Sequence, residues 1–383
     1  MICSREIMGQ MQIHQETVFA RTTDRWNLRI FHYHPSGQAV GRFPVILCHG
    51  LAANKNSCDF GQPGSKDWLQ YSLAAFLSQQ RSDDGPVFDV WVPELRGAGV
   101  SFFDPRENPE RFHWCVDDYI DKDVPAIIQR VQQSYLDREL GAPPVFWVGK
   151  SMGGMIAYAY GQTKQGQKNL KGVVTIGSPV VFGKSSVFLE FITRITPRNV
   201  SIPIRLMELV EKSGEIANHF RGLGVNLENV DPDVLQTYLR VGLSDVLSSK
   251  VLSQFSLFFK HMTFCRYPRY PWMYDIFGRI PGMKKLFTPY SYTENLYRFI
   301  APLLVIAGGS DKMAPKTEMH YVKDHVGSID VTYLEFSKEA GYHADYGHLD
   351  LNLGLYAREE VYPKIYEWLV KRGNVSLNFP TNP

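Results

Sequence analysis

The hexad Gly149-Lys150-Ser151-Met152-Gly153-Gly154 constrains the fold of this chain more than any other stretch. It follows an apolar, strand-like run at 145–148 and precedes a helix-like run at 155–160. A strand that passes into a helix through Gly-x-Ser-x-Gly must turn a sharp corner. Flanking positions in so tight a corner leave no room for a Cβ, which accounts for the glycines. The corner lifts the serine hydroxyl above the end of the sheet and aims the next backbone N–H into the same space. Ser151 is therefore a candidate nucleophile, and other segments are expected to supply its partners.

Strand and helix patterns alternate around this corner. Residues 17–23 and 26–34 alternate apolar and polar side chains about Asp24-Arg25 and predict an antiparallel hairpin. His32 and His34 then share one side of a strand, read here as an exposed face, because no further ligand stands at a recognisable spacing for a metal. A short, wholly apolar run at 43–48 and mostly apolar runs at 87–92, 170–176 and 301–307 predict strands buried on both faces. Amphipathic helices are expected at 67–80 and 117–135, with Pro125 placing the true start of the latter just before it. Asp117, Asp118, Asp121 and Asp123 suit the positive end of that helix and need no chemical role. Further on come a helix at 315–326, a strand at 330–336 and a last helix at about 358–371. Repeated strand–helix units imply right-handed crossovers and a parallel sheet.

From 180 to 292 the alternation stops. Helical patterns at 202–213, 232–247 and 249–262 replace it, with 14 Lys/Arg against 9 Asp/Glu over that stretch and nine aromatics between Phe255 and Phe277. The expected organisation is an α/β core at 1–179 and 293–383, interrupted by a mainly helical cap at 180–292. The aromatic stripe is read mostly as the cap's own small core. A roof of this composition leaves an apolar pocket beneath it.

Composition excludes several classes. A net charge of +2 over 383 residues argues against a general nucleic-acid binder. No apolar run reaches the length of a membrane span, so no stable insertion is expected. Transient contact with a lipid surface stays open. The first fifteen residues show no apolar core or cleavage pattern of a signal peptide. Five scattered cysteines, with no paired spacing, fit a reducing, cytoplasmic setting.

A serine hydroxyl needs a base, and the base needs a group to orient it. Asp311 follows the strand at 301–307, and His348 follows the next strand, 37 residues later. His343 competes with His348. Gly347 lets the loop turn inward and Leu349, Leu351 and Leu353 anchor it, which favours His348. Asp324 and Asp330 lie at the wrong end of the sheet for the acid, and Asp345 does not follow the preceding strand. A metal site from His343, Asp345 and His348 is a weak reading beside a serine corner. His49-Gly50-Leu51, at the end of the strand 43–48, offers the Leu51 N–H as one oxyanion donor, with the Met152 N–H as the second. In Pro93-Glu94-Leu95-Arg96-Gly97, Glu94 and Arg96 are read as a partly buried ion pair that fixes the loop.

These segments together resemble the α/β-hydrolase superfamily. His49-Gly50-Leu51, the hexad at 149–154, Gly309-Ser310-Asp311 and Tyr346-Gly347-His348-Leu349-Asp350 are similar to the branch holding acid lipases, monoacylglycerol lipases and bacterial hydrolases related to polyhydroxyalkanoate synthases. Pro93-Glu94-Leu95-Arg96-Gly97 resembles it too. The similarity covers about 18–178 and 301–369 and leaves the cap unmatched. It implies a mostly parallel sheet flanked by helices, with Ser151 as nucleophile, Asp311 as acid and His348 as base, and neither metal nor organic cofactor. Lys150 stands where many relatives carry histidine. The polymer synthases place cysteine at the corner, and a serine there favours hydrolysis over chain growth. The expected activity is hydrolysis of carboxylic esters with an apolar acyl or aromatic part. Alternatives are an acyltransferase using the same three residues, a lipid or small-molecule binder without catalysis, and cofactor-free haloperoxidase or lyase chemistry, since fold does not set reaction.

Overall fold

Eight strands make one sheet: β1 (Ile13–Arg21), β2 (Asn27–Pro35), β3 (Phe43–Cys48), β4 (Phe88–Pro93), β5 (Val145–Lys150), β6 (Leu170–Ile176), β7 (Leu303–Gly308) and β8 (Val331–Phe336). This computed structural model describes residues 13–35, 43–82, 85–99, 112–183, 203–204, 224–244, 246–278, 280, 283–287 and 290–373. Their order across the sheet is β1-β2-β4-β3-β5-β6-β7-β8. The first hairpin is antiparallel and β2 runs antiparallel to β4, whereas every pair from β4 to β8 is parallel. Parallel strands that all end at one edge deliver their following loops to the same place, the usual position of a ligand site in open α/β sheets.

The α-helices of six or more residues among the described segments are α1 (Lys66–Tyr71), α2 (Leu73–Ser78), α3 (Val124–Leu136), α4 (Met152–Gly161), α5 (Lys164–Asn169), α6 (Pro232–Val241), α7 (Ser249–His261), α8 (Pro271–Phe277), α9 (Lys316–His325) and α10 (Ala357–Gly373). Period-two alternation along the strands sorts them to the two faces. Val45 and Leu47 pack with Leu73 and Leu77 of α2 and with Val361, Ile365 and Leu369 of α10. Ile46 and Cys48, from the same strand, face the other way, with Ile127 of α3, Ile156 of α4 and Val322 of α9. Each face thus has its own buried core. That is why β3 and β7 read as continuous apolar runs and β4, β5 and β6 as nearly so.

Several elements depart from the sequence expectations. The helix expected at 67–80 is two, because Ser72 is extended (φ −106°, ψ 114°). Its hydroxyl donates to Asp59 Oδ1 and accepts from the Ala75 N–H, so a polar anchor outweighs helical continuity. Before α3 the backbone widens into a π-turn at Tyr119–Asp123, which accommodates Pro125 without a lost hydrogen bond inside regular helix. His32 is fully buried, so the exposed-face reading fails for it. Its ring stacks on Trp91 of β4.

Between β6 and β7 the chain leaves the sheet. Residues of the helix expected at 202–213 fall outside the described segments, save a two-residue strand Pro203–Ile204 paired with Leu247–Ser248. The pattern at 232–247 ends earlier than expected, at Val241 of α6, and the one at 249–262 is α7, ended by Met262 in the left-handed region. Phe255, Phe258, Phe259, Phe264 and Tyr274 do not form a separate small core. They belong to the same apolar cluster as the α4 face of the sheet. No helix among the described residues is long and apolar enough to cross a membrane.

Candidate active site

Ser151 sits at the corner between β5 and α4 with φ 53° and ψ −121°. A side chain in that region costs about 1–3 kcal/mol and persists where the surroundings enforce it. The enforcement is visible. A Cβ on Gly153 would fall 2.5 Å from Cys48 O and 2.6 Å from His49 O, and one on Gly149 would fall 2.3 Å from Gly153 O. Trp147 Nε1 donates to Gly153 O at 2.9 Å, and the Ser151 N–H donates to Ile176 O at 2.9 Å. The corner is pinned to the neighbouring strands on both sides.

Ile176 ends β6, and the next residue places the corner beside the other two predicted groups. A Cβ on Gly177 (φ +57°) would stand 3.0 Å from Asp311 Oδ2 and 3.0 Å from His348 Nδ1. Those two atoms lie 2.8 Å apart, with both side chains buried. Asp311 Oδ1 accepts the N–H groups of Met313 at 2.9 Å and Ala314 at 2.8 Å, so the carboxylate is fixed at both oxygens. With Nδ1 bound to the carboxylate, the imidazole keeps Nε2 for a second partner. The loop bearing His348 is held by its own neighbours. Asp350 accepts the Gly347 N–H at 2.9 Å and Asn229 Nδ2 at 3.0 Å, and the Leu349 N–H donates to Gly224 O at 2.7 Å. Asn226, Asn229 and Gly224 come from the segment between β6 and β7, so that segment buttresses the histidine loop.

The loop after β3 approaches from the opposite side. A Cβ on Gly50 would stand 3.0 Å from Ser151 Cβ and 3.5 Å from its Oγ, so the backbone leading to Leu51 passes directly beside the serine. Met152 opens α4, where the first N–H groups have no acceptor within the helix. His49 accepts the Leu95 N–H at Nε2 (3.1 Å) and faces Gly50 O through Nδ1 (2.9 Å), which requires the neutral ring. Burial pushes its pKa down to about 4, consistent with that tautomer. The ring thereby ties the Gly50 turn to the loop after β4.

Sequence reasoning left Lys150 without a role, and the structure gives it one. Its side chain is buried, and Nζ donates to His348 O at 2.8 Å and to Asn352 Oδ1 at 2.9 Å. Asn352 is itself held, donating to Ser57 O at 3.1 Å and accepting Tyr362 OH on its carbonyl at 2.7 Å. Burial pushes the Lys150 ammonium down to about 8. The residue before the serine therefore grips the backbone of the histidine. A lysine at the end of an otherwise apolar strand was the only sequence sign.

The remaining candidates lie elsewhere. His343 is exposed, bound to Glu360 Oε1 at 2.7 Å and stacked on Tyr356. Asp345 accepts the Lys338 N–H, and Asp330 pairs with Arg372. The three-residue metal grouping of His343, Asp345 and His348 does not assemble. The one such group among the described residues is Glu16, His32 and His34. Glu94 and Arg96 do not pair with each other. Glu94 meets Arg29 at 2.6 Å, while Arg96 meets Asp123 at 2.6 Å and Asp24 at 2.8 Å. Both are buried deeper than a partly exposed pair. Asp123 thus serves Arg96 rather than a helix terminus, and Asp117 accepts the Tyr267 N–H and the Tyr292 hydroxyl. Short-range spacing cannot reveal partners 27 to 175 residues distant.

Residues 44–197 match the family described as alpha/beta hydrolase fold. Solved structures match over nearly the whole chain. The monoacylglycerol lipase of Paleococcus ferrophilus is 18% identical, with 94% of this chain and 100% of that one covered and a TM-score of 0.53. The chain has the α/β-hydrolase fold. A thermophilic esterase from Thermogutta terrifontis is 18% identical, covering 94% and 99% of the two chains, with a TM-score of 0.55. An esterase from Exiguobacterium antarcticum is 15% identical, covering 93% and 100%, with a TM-score of 0.57. A comparison with curated protein sequences finds no match. Within this hydrolase fold, Ser151, Asp311 and His348 lie on loops after β5, β7 and β8, all at the carboxyl edge of the parallel strands.

Proposed function

We propose that this chain is a serine hydrolase of carboxylic esters with an apolar acyl or aromatic part. The observation that carries the reading is Ser151, held at positive φ on a strand–helix corner, with the buried His348–Asp311 pair against the adjoining Gly177. Ser151 Oγ attacks the ester carbonyl and His348 Nε2 takes its proton. Asp311, bound at Nδ1, orients the ring and stabilises the imidazolium. The N–H groups of Leu51 and Met152 hold the oxyanion. His348 then gives the proton to the departing alcohol, and in the second half activates water to release the acid. No metal or organic cofactor enters this sequence.

The esterases and the monoacylglycerol lipase of like fold support the substrate class. In this reading residues 180–292 are a cap over the sheet domain formed by 1–179 and 293–383. The cap's α8 leaves Trp272 and Ile276 exposed, which suits transient contact with a lipid surface rather than insertion. The buried free cysteines Cys48, Cys58, Cys115 and Cys265 suit a reducing, cytoplasmic setting.

A fluorophosphonate probe should label the purified chain, and peptide mapping should place the adduct on Ser151. Ser151→Ala should abolish both labelling and turnover of p-nitrophenyl esters, whose chain-length series then sizes the acyl pocket. Undiminished turnover in Ser151→Ala overturns the assignment.

A further inference from the structure

We infer that the β1–β2 hairpin carries a divalent-metal site, with Glu16, His32 and His34 as ligands, suited to Zn2+. The register sets Glu16 directly opposite His32, and His34 follows two residues later on the same strand. Directly opposed residues and i, i+2 neighbours share a sheet face. One ligand atom from each of the three residues lies within 4.8 Å of the others. On sequence alone no third ligand was visible because it comes from the neighbouring strand, sixteen positions before His32.

The placement of His32 is what separates this group from a chance cluster. Its ring is fully buried and stacks on Trp91 with centroids 3.6 Å apart and planes 8° apart. Its Nε2 meets Asp89 Oδ1 at 2.6 Å, and Asp89 Oδ2 accepts Trp91 Nε1 at 2.8 Å. A buried carboxylate on one imidazole nitrogen, with the other nitrogen presented outward, is the arrangement that orients histidine ligands and raises their basicity. The presented atom, Nδ1, faces Glu16 Oε1 at 2.6 Å. Donors around a tetrahedral zinc stand about 3.3 Å apart, so the metal requires the glutamate to withdraw by under about 1 Å. Glu16 is half exposed and flexible, whereas His32 is not. Two imidazoles and one carboxylate select zinc and its neighbours over magnesium or calcium. Water completes the fourth position on the exposed side.

β2 lies three strands from β5, about 14 Å across the sheet at normal strand spacing, so the metal takes no part in chemistry at Ser151. It would staple β1 to β2 at the edge of the sheet and, through Asp89, to β4. Without metal, a direct His32–Glu16 hydrogen bond fills that space, and metal-binding measurements separate the two.

Tag-free, EDTA-stripped protein at pH 7.5 should bind one Zn2+ per chain by calorimetry, and Co2+ should bind with tetrahedral d–d absorption. Saturating Zn2+ should raise the melting temperature. Glu16→Gln and His34→Ala, at incompletely buried positions, should each weaken binding at least tenfold and keep the metal-free melting temperature. Absence of stoichiometric binding, or binding retained in the Glu16→Gln/His34→Ala double variant, overturns the site.

Discussion

Replacing Lys150 by methionine should slow turnover while leaving the chain folded. The two effects are separable because the ammonium stabilises and costs at once. Burial lowers its pKa from 10.5 to about 8, a shift worth about 3 kcal/mol against the charged form. Methionine, of similar length, removes that cost. It also removes two hydrogen bonds, to His348 O and Asn352 Oδ1, each worth about 1–3 kcal/mol when the donor is charged. The terms largely offset each other, so Lys150→Met should unfold within about 3 kcal/mol of the parent. Activity has no such compensation. Without the grip on its carbonyl, His348 loses one of the contacts that aim Nε2, and a misplacement of about 1 Å costs on the order of a hundredfold in rate.

The assay is kcat and KM for a p-nitrophenyl ester, with thermal denaturation alongside. kcat should fall by about ten- to a hundredfold with KM little changed. A pH series adds a reading that mere loss of packing would not give. Lys150 releases its proton near pH 8 when folded and near 10.5 when unfolded, so between those values the unfolded chain holds more protons. Its contribution to stability therefore rises with pH across that window, and Lys150→Met should lose the rise. A variant with kcat within twofold of the parent, in a protein that His348→Ala inactivates, refutes the positioning role.

Three further outcomes follow from the site's supports. Gly177→Ala sets a Cβ 3.0 Å from both Asp311 Oδ2 and His348 Nδ1 at φ +57°, so stability should drop by about 1–3 kcal/mol and kcat should drop with it; unchanged values of both refute the close approach. Asp123→Asn leaves the buried Arg96 guanidinium with Asp24 alone and should cost about 3–5 kcal/mol in urea denaturation; a loss under about 1 kcal/mol means the pair is not buried in solution. Burial raises Glu318 from 4.5 to about 7, so the unfolded chain ionises first and stability from this group, full below pH 4.5, is lost as pH rises towards 7. Glu318→Gln keeps an acceptor for the Gly183 N–H and should flatten that slope, read by denaturation from pH 4.5 to 7.5; an identical slope in the variant counts against it.

What the sequence disclosed and what it hid divide along range of interaction. Most of the parallel strands were legible because they are buried on both faces and therefore largely apolar, as in β3 and β7. The corner at Ser151 was legible because its glycines, set by close approaches within the corner and to the strand beside it, stand together in one short motif. The polar supports were hidden. Arg96 finds Asp24 and Asp123, and Glu94 finds Arg29, across strands that share no sequence pattern. Ser72 breaks a helix that periodicity joins, because Asp59 thirteen residues away claims its hydroxyl. His32 alternates correctly for a half-exposed strand yet is covered, since alternation reports a face and not what lies over it. The aromatics of α7 read as a local core and instead extend the core of the sheet.

The polar links around the candidate site share a location, and that location has a reason. Each predicted reacting group stands on a loop leaving the carboxyl edge of a parallel strand, where the sheet's apolar core ends. Filling that edge with side-chain packing would close the space a substrate needs. Buried polar links leave the space open and still fix the loops: His49 joins the turn at Gly50 to Leu95, Asp350 closes the turn before His348, and Lys150 joins β5 to that same loop. Such links carry a desolvation cost that apolar packing lacks, so they add little net stability while selecting one geometry. Lys150 differs from the others in holding the carbonyl of the base itself, which any histidine or glutamine at position 348 would also present. A base replaced at 348 should therefore leave the loop in place, and a lysine removed at 150 should displace it even with the base intact.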